Sequence, residues 1–573
     1  MLLSLLGQVV LAALLASAFT PTPTLTRRTN GPLPPSQFVT TQNGQFFFNG
    51  TPIAFVGTNA YWLPILNSDQ DIDFTLGNMS KAGITVVRTW AFNDVQTIPE
   101  NGTWFQLIAN GATTINNGTN GLQKLDTVVR LAEKHNIFLQ LALTNNWNPL
   151  PLLDNVAAGL SISARDVTNG TNTTLPRNTL SNDYGGMDVY VRALSNSTTQ
   201  SHDDFYSNPM ILNTFMNYTT QIVTRYANSP AIFGWELAND PRCNSSISGT
   251  SQCSTLTVTQ WHSQVAQHVS TVDPNHLVTS GNHGFFCVDC PKLFPRVTPQ
   301  PSPSPSPAPG VRRRSPKPKP LTKYRLLQER RAAWKRFRDA KKRSAPGQTI
   351  RGRWIAPETR RQFDQGMGSA FDGSSGVDSE DIINIPQIGY GSFQLFPDQN
   401  SYGPDDPNLP AFNNTVQQGL LWIQKHAQLG QLFGKPVSLT GFGLVTQNNT
   451  PFFVPFNTTE APFASDNPPT ATPVQQPFVT DDQRDDAYTQ WLEAGLQNGL
   501  NGMLQYQWSQ DNLTTQVGTA IQPTVSGTDV QPTVTGTGLS PNDGYSIQGQ
   551  GLASVVNTIM VAAQGFAADT PGR

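Results

Sequence analysis

Several short apolar runs in this sequence end in residues able to do chemistry: Arg88-Thr89-Trp90, Asn145-Asn146-Trp147, Asn239-Asp240, Gln394 and Gln507-Trp508. Asp240 is a carboxyl group that could give or take a proton. The amides and the Arg88 guanidinium can hydrogen-bond hydroxyl groups. Indole faces stack on the apolar C–H faces of pyranose rings. A carboxyl group among amides and indoles suits a groove for a sugar chain. A single Trp at one such place is equally compatible with core packing, and it is the recurrence at the ends of runs that favours a site.

What must position these residues is a repeated unit. Eight runs read as strands: Pro52–Asn59, Thr85–Phe92, Ile137–Leu143, Ala231–Ala238, His276–Ser280, Ile388–Phe396, Pro436–Phe442 and Gly502–Trp508. Amphipathic segments of helical length lie between most of them, among them Leu122–His135, Asn213–Tyr226, Thr415–Leu432 and Asp482–Gln497. Alternating strands and helices predict an α/β chain with a parallel sheet. Eight such units predict a (β/α)8 TIM barrel, whose site lies at the C-terminal ends of its strands.

The chain has 573 residues, with 37% hydrophobic and only 13% charged. Residues 1–18 are apolar and end in Ala16-Ser17-Ala18, the pattern of a signal peptide, with a membrane anchor as the rival reading. No other stretch is long enough to span a bilayer. Arg27-Arg28 has the form of a dibasic processing site. Thirteen Asn-x-Ser/Thr sequons run from Asn49 to Asn512 and agree with secretion and glycosylation. In an oxidising compartment the four cysteines are expected to pair locally, Cys243 with Cys253 and Cys287 with Cys290, although three connectivities are open. A metal site is the rival for Cys287 and Cys290.

One region stands apart. Gln300–Pro309 is a Pro-Ser repeat, which reads as an extended linker. Val311–Arg361 then holds 19 of the 37 Lys and Arg residues and 3 of the 39 Asp and Glu, a net charge of +16 against −18 for the rest of the chain. Leu326, Ala333, Trp334, Phe337 and Ala340 recur near helical spacing, so Leu321–Arg343 could form a basic amphipathic helix. A polyanion-binding arm is one reading of this insertion, and a solvated or proteolytically removed segment is the other and the preferred one. The expected organisation is a signal peptide over 1–18, a short pro or linker segment over 19–37, barrel over 38–290, insertion between strands five and six over 291–375, barrel over 376–565, and a tail over 566–573.

Four ordered motifs carry a resemblance: GTNAYWL (Gly57–Leu63), VVRTWAFND (Val86–Asp94), WELANDPRC (Trp235–Cys243) and KPVSLTGFG (Lys435–Gly443). Together they resemble the endo-β-1,4-mannanases of glycoside hydrolase family 5, from about Phe38 to Ala563 with the insertion interrupting. The resemblance implies a secreted protein that binds or hydrolyses β-1,4-mannan or a related hemicellulose. It implies no cofactor and no metal. A nucleic-acid or membrane partner is not expected, and the protein is expected to be a monomer.

The resemblance also assigns roles. The family's acid/base glutamate falls at Asp240 and its nucleophilic glutamate at Gly441. Its strand-six His and Tyr fall at Gln394 and Phe396, and its strand-eight Trp-Gln pair at Tyr506-Gln507. Arg88, Asn239, Trp62, Trp90 and Trp147 keep the pattern, and Asn146 and Trp508 complete the expected substrate-binding set. Retaining hydrolysis needs two carboxyl groups about 5–5.5 Å apart. An aspartate is one methylene short and a glycine supplies no group at all. Asp94 and Asp398, just past strands two and six, are the carboxylates that could replace the missing one by holding a water. Two readings follow: a glycosidase with residual or altered activity, or a carbohydrate-binding protein built on a mannanase scaffold. The missing nucleophile favours the second. A structural cell-wall glycoprotein would show no saccharide affinity.

Overall fold

All eight runs form strands in the computed structural model, which describes residues 36–150, 177–195, 199–296, 368–459, 461–463, 478–514, 536–547 and 550–568. They are β1 (Phe55–Asn59), β2 (Val86–Trp90), β3 (Phe138–Ala142), β4 (Ile232–Glu236), β5 (Leu277–Thr279), β6 (Gly391–Leu395), β7 (Val437–Phe442) and β8 (Gly502–Gln505). The ladders are parallel, in the order β5-β4-β3-β2-β1-β8-β7-β6. Between β5 and β6 the barrel is closed by single bonds: Gly389 N–H donates to Val278 O (2.8 Å), Thr279 Oγ1 to Tyr390 O (3.0 Å), and the Ser280 and Ser392 hydroxyls meet at 3.0 Å. The barrel is a (β/α)8 TIM barrel.

A helix follows each strand: α1 (Asp69–Lys81), α2 (Leu122–Lys134), α3 (Pro209–Tyr226), α4 (Thr255–Val272), α5 (Ser379–Ile383), α6 (Ala411–Phe433), α7 (Asp481–Asn498) and α8 (Gln550–Ala568). Local chemistry sets their ends. The Ser68 side chain accepts from Asp71 N–H at the start of α1, and Thr480 with Gln483 forms a capping box at the start of α7. Gly434 and Gly499 end α6 and α7 at φ 63° and 80°, where a side chain would be strained. On α2, Leu122, Leu125, Val128, Val129 and Ala132 are buried at helical spacing.

The bottom of the barrel is plugged from the N-terminal side. A three-stranded antiparallel sheet over Thr40–Gln42, Gln45–Phe48 and Thr51–Ile53 turns at Asn43-Gly44 and Asn49-Gly50, all four at positive φ. It presents Phe46 to Phe55, Phe233 and Tyr390, with ring centroids 5.0–5.9 Å away. Solvent is thereby excluded from one end, and the polar residues of the strands collect at the other.

Most of the expected insertion, 297–367, lies outside the described residues, as do the N-terminal apolar segment and Arg27-Arg28. The described flanks pack on the barrel. Leu293 and Phe294 N–H groups donate to Asp381 on α5, and the Phe371 ring lies 5.7 Å from that of Trp422 on α6. The sulfurs pair locally, Cys243 with Cys253 and Cys287 with Cys290. Among the described residues no helix is long and apolar enough to cross a membrane.

Candidate active site

Strand register lines up the first layer of the site. Asn59 on β1 is opposite Arg88 on β2, and Arg88 is opposite Gln140 on β3. Arg88 is buried and spends its donors inward: Nε and Nη2 on the Glu236 carboxylate (2.7 and 2.5 Å), Nη1 on Asn59 Oδ1 (3.0 Å), and Nη2 also on Asn239 Oδ1 (2.8 Å). Gln140 Nε2 adds a bond to Glu236 Oε2 at 2.6 Å. The interior charge of Arg88 is therefore balanced by Glu236, a residue of β4 itself.

Past β4 the chain carries Asn239 and Asp240 to the barrel mouth. Asn239 Oδ1 accepts from Gln394 Nε2 (3.0 Å) as well as Arg88, and its Nδ2 donates to Asn145 Oδ1 (2.8 Å). Asp240 adopts φ 52° and its N–H donates to Gly281 O at 2.9 Å. Its two oxygens are both acceptors, Oδ2 from Trp147 Nε1 and Oδ1 from Arg242 Nε, each at 2.9 Å. The Arg242 guanidinium lies over the Trp147 and Phe285 rings, 5.4 and 4.7 Å from their centroids.

His283, just past β5, completes this cluster and was not anticipated. Its Nδ1 is 3.7 Å from Asp240 Oδ1 and has no hydrogen-bond partner among the described residues, although the ring is wholly buried. Phe396 N–H donates to Tyr402 Oη (2.7 Å), and the same hydroxyl lies 2.6 Å from His283 Nε2. Burial, then Arg242 and His426, push this imidazole well below the ordinary histidine range. A neutral imidazole thus faces the one carboxylate of the cluster. The end-of-run rule that singled out Asp240 applies equally to Ser280–His283, and could have found it.

At the other expected carboxyl position there is a ring. A Cβ on Gly441 would lie 3.3 Å from Phe396 Cζ, 3.5 Å from its Cε2 and 3.8 Å from Asn59 Nδ2. Phe396 in turn packs edge-on to Tyr506 and Tyr545, at 5.4 Å each. Tyr506 Oη donates to Asp543 Oδ2 (2.6 Å), Gln507 Nε2 donates to Asp543 Oδ1 (2.7 Å), and Trp62 Nε1 donates to Gln507 Oε1 (3.0 Å). Burial raises the Asp543 carboxyl to about 6. Asp543 lies beyond the last strand in a stretch without periodicity, and nothing in the sequence flagged it.

The remaining expected residues are distributed as follows. Trp90 is buried, stacks on Tyr61 (6.0 Å, 28°) and donates to Ser181 O (3.1 Å). Trp62 is also buried, and Trp508 donates to Gln510 Oε1 at 3.4 Å. Asn146 is buried beside the site: Oδ1 accepts from Arg242 N–H (3.0 Å) and Nδ2 donates to Asn244 O (3.1 Å). The Cys243–Cys253 bridge closes the loop that follows Asp240. Asp94 Oδ2 accepts from Gly186 N–H (3.1 Å), and burial raises its carboxyl well above the usual range. Asp398 Oδ2 accepts from Val445 N–H at 2.9 Å.

The arrangement resembles known proteins in sequence and in shape. Residues 36–302 match the family described as GH family 5 beta-mannosidase-like. That span contains β1 to β5, and β6 to β8 lie beyond it. A mannan endo-1,4-beta-mannosidase A of Hypocrea jecorina is 37% identical over 282 residues, 49% of this chain and 52% of that one. A mannan endo-1,4-beta-mannosidase F of Aspergillus clavatus is 38% identical over 250 residues, 43% of this chain and 47% of that one. The chain thus spans about half the length of the curated relatives it matches. Among solved structures, the endo-1,4-beta-mannanase of Rhizomucor miehei superposes with a TM-score of 0.54 at 22% identity, over 93% of this chain and 100% of that one. A family 5 mannosidase of the same organism gives 0.51 at 12% identity, over 93% and 99%. These two share the fold.

Proposed function

We propose that this chain, whose residues 36–302 match the family described as GH family 5 beta-mannosidase-like, binds β-1,4-mannan or a related hemicellulose without the family's standard turnover. The observation that carries the reading is the pairing of positions 240 and 441. Asp240 keeps a carboxylate, but both its oxygens accept hydrogen bonds and one of them is ion-paired with Arg242. Position 441 offers no group, and the Phe396 ring stands against it. Attack at the anomeric carbon and protonation of the leaving oxygen both lack their groups. Asn239, Gln394 and Trp147 remain beside Asp240 as amides and an indole of the kinds that bond hydroxyls and stack on pyranose faces, with Arg88 holding Asn239 from beneath.

The residual-activity reading keeps one specific support, the neutral His283 imidazole 3.7 Å from Asp240 Oδ1. It predicts slow hydrolysis that extends to mannooligosaccharides, whose leaving oxygens need a proton. The test is product analysis on mannan and mannooligosaccharides beside a binding assay on the same protein. Saccharide affinity with no products supports the binding reading; products at about 1–10³ per second would overturn it, and no affinity would leave a structural wall glycoprotein.

The protein is further proposed to be a secreted, glycosylated monomer with no cofactor, metal, nucleic-acid or membrane partner. The N-terminal apolar run, thirteen sequons and two local disulfides support secretion. Mass measurement of secreted material before and after enzymatic deglycosylation checks both the sugar and the cleavage near Ala18.

A further inference from the structure

The loop that follows β7 reaches over the barrel mouth. Phe456 N–H donates to Gln399 Oε1 (3.1 Å), and Asn182 Nδ2 donates to the carbonyls of Phe456 (2.9 Å) and Thr458 (3.0 Å). These bonds tie the loop to the segments that follow β6 and β3. They deliver the Phe456 ring to Trp147, with centroids 6.2 Å apart and planes at 26°, and edge-on to Phe396 at 5.9 Å and 78°. Trp147 is the indole that donates to Asp240, and Phe396 is the ring that stands against Gly441. One side chain therefore touches the neighbours of both positions where the carboxyl groups of a retaining pair are expected.

We propose that Phe456 is a specificity-determining residue, a built-in occupant of the groove whose ring covers Trp147 until a sugar ring displaces it. The proposal rests on the saccharide-binding reading of the same site. Among the described residues, the rings and cations against the Trp147 indole are the Arg242 guanidinium and the Phe456 ring. Arg242 is anchored: Nε is bonded to Asp240 Oδ1 (2.9 Å), Nη2 to Asn400 Oδ1 (3.3 Å), and its backbone N–H to Asn146 Oδ1 (3.0 Å). The Phe456 ring has no polar atom to anchor it and is only half-buried. A pyranose and a phenyl ring offer flat apolar faces of similar size, so a sugar that stacks on Trp147 takes the place of Phe456. A competent state that is only partly populated weakens apparent affinity in proportion. Long chains, which gain contacts elsewhere along the groove, offset that loss, and single sugars do not. The loss is the same factor for both, so a single sugar falls below useful affinity where a chain is still held.

Phe456→Ala tests this with two readouts. Peptide mapping after N-bromosuccinimide treatment reports whether the Trp147 indole is open, with the core residue Trp235 as internal control. Calorimetric titration with mannohexaose and with mannose reports affinity. The expected result is oxidation of Trp147 several-fold faster than in the unaltered protein, Trp235 unchanged, and mannohexaose binding about three- to tenfold tighter. Phe456→Leu, which keeps apolar volume without the ring, should fall between the two and serves if the alanine variant does not fold. Unchanged oxidation of Trp147 overturns the proposal. So does equal or weaker mannohexaose binding by the variant, which would make Phe456 part of the platform. Absence of binding in both proteins overturns the saccharide reading of the groove and this proposal with it, whereas binding by both at equal affinity overturns the proposal alone.

Discussion

The Arg88 guanidinium and the Glu236 carboxylate face each other as a two-pronged pair inside the barrel, at 2.7 and 2.5 Å. That pairing explains how the fold tolerates a glycine at 441. Arg88 is buried, yet its demand for an anion is met from β4, so a glycine at 441 strands no charge. The same pair makes a stability prediction. Glu236→Ala removes the only carboxylate bonded to Arg88 among the described residues and leaves a buried cation uncompensated, which typically costs about 3–5 kcal/mol. Chemical denaturation of the variant should show a loss of that size. A loss below about 1 kcal/mol would mean that Asn59 and Asn239 suffice for Arg88.

Asp543 predicts a pH dependence. Its carboxyl in the folded protein is raised to about 6, above the unfolded value of about 3.9, so the native state binds this proton more tightly. Its contribution is fully present below pH 4 and is lost as pH rises through 6. A gap of about two between the folded and unfolded pKa corresponds to about 3 kcal/mol. In denaturation series between pH 4 and pH 7, the unaltered protein should lose stability relative to Asp543→Asn by an amount of that order. Parallel curves for the two proteins would show that Asp543 is not perturbed.

The strand ends were legible because each is local. A run of apolar residues followed by an amide, an indole or a carboxyl group marks its own C-terminal end, and the eight strands sit within the expected limits. The same rule stopped short of Phe456 and Asp543, which lie in loops with no periodicity. It also gave no partners. Arg88 meets Glu236 across 148 positions and Tyr506 meets Asp543 across 37, and no spacing in one sequence encodes such pairings. Gly441 was legible in the sequence as a position without a functional group. That the Phe396 ring fills in beside it is a property of the packed barrel, because it depends on where β6 and β7 lie relative to each other.

The insertion predicts where a protease enters. Val311–Arg361 supplies 19 of the chain's 37 Lys and Arg residues. Limited trypsin digestion should cut there first and leave two fragments that co-elute, because β1 pairs with β8 and the β5–β6 seam is bonded on both sides of the cut. First cleavage within β4 or β7, or fragments that separate without denaturant, would contradict the division of the barrel into 38–290 and 376–565.

The two positions where the resemblance expects carboxyl groups give the sharpest prediction. Gly441→Glu alone should yield little hydrolysis, because Asp240 is one methylene short and tied to Trp147 and Arg242; a misplacement of about 1 Å can cost about 10²-fold. It should also cost some stability, since a Cβ at 441 lies 3.3 Å from Phe396 Cζ and the ring must give way. Asp240→Glu alone should yield almost nothing, because no group attacks the anomeric carbon. The double variant should gain more than the sum of the singles, since groups that act as one unit are strongly non-additive. Gln394 and Phe396 will limit the recovery, as the hydrogen bonds expected from a His and a Tyr there remain absent. The measurement is hydrolysis of an activated aryl mannoside and of mannooligosaccharides by the four proteins, with saccharide affinity followed in parallel. Additive gains would show that positions 240 and 441 do not face one substrate. Ordinary turnover by the unaltered protein would place the nucleophile elsewhere and remove Gly441 from the site.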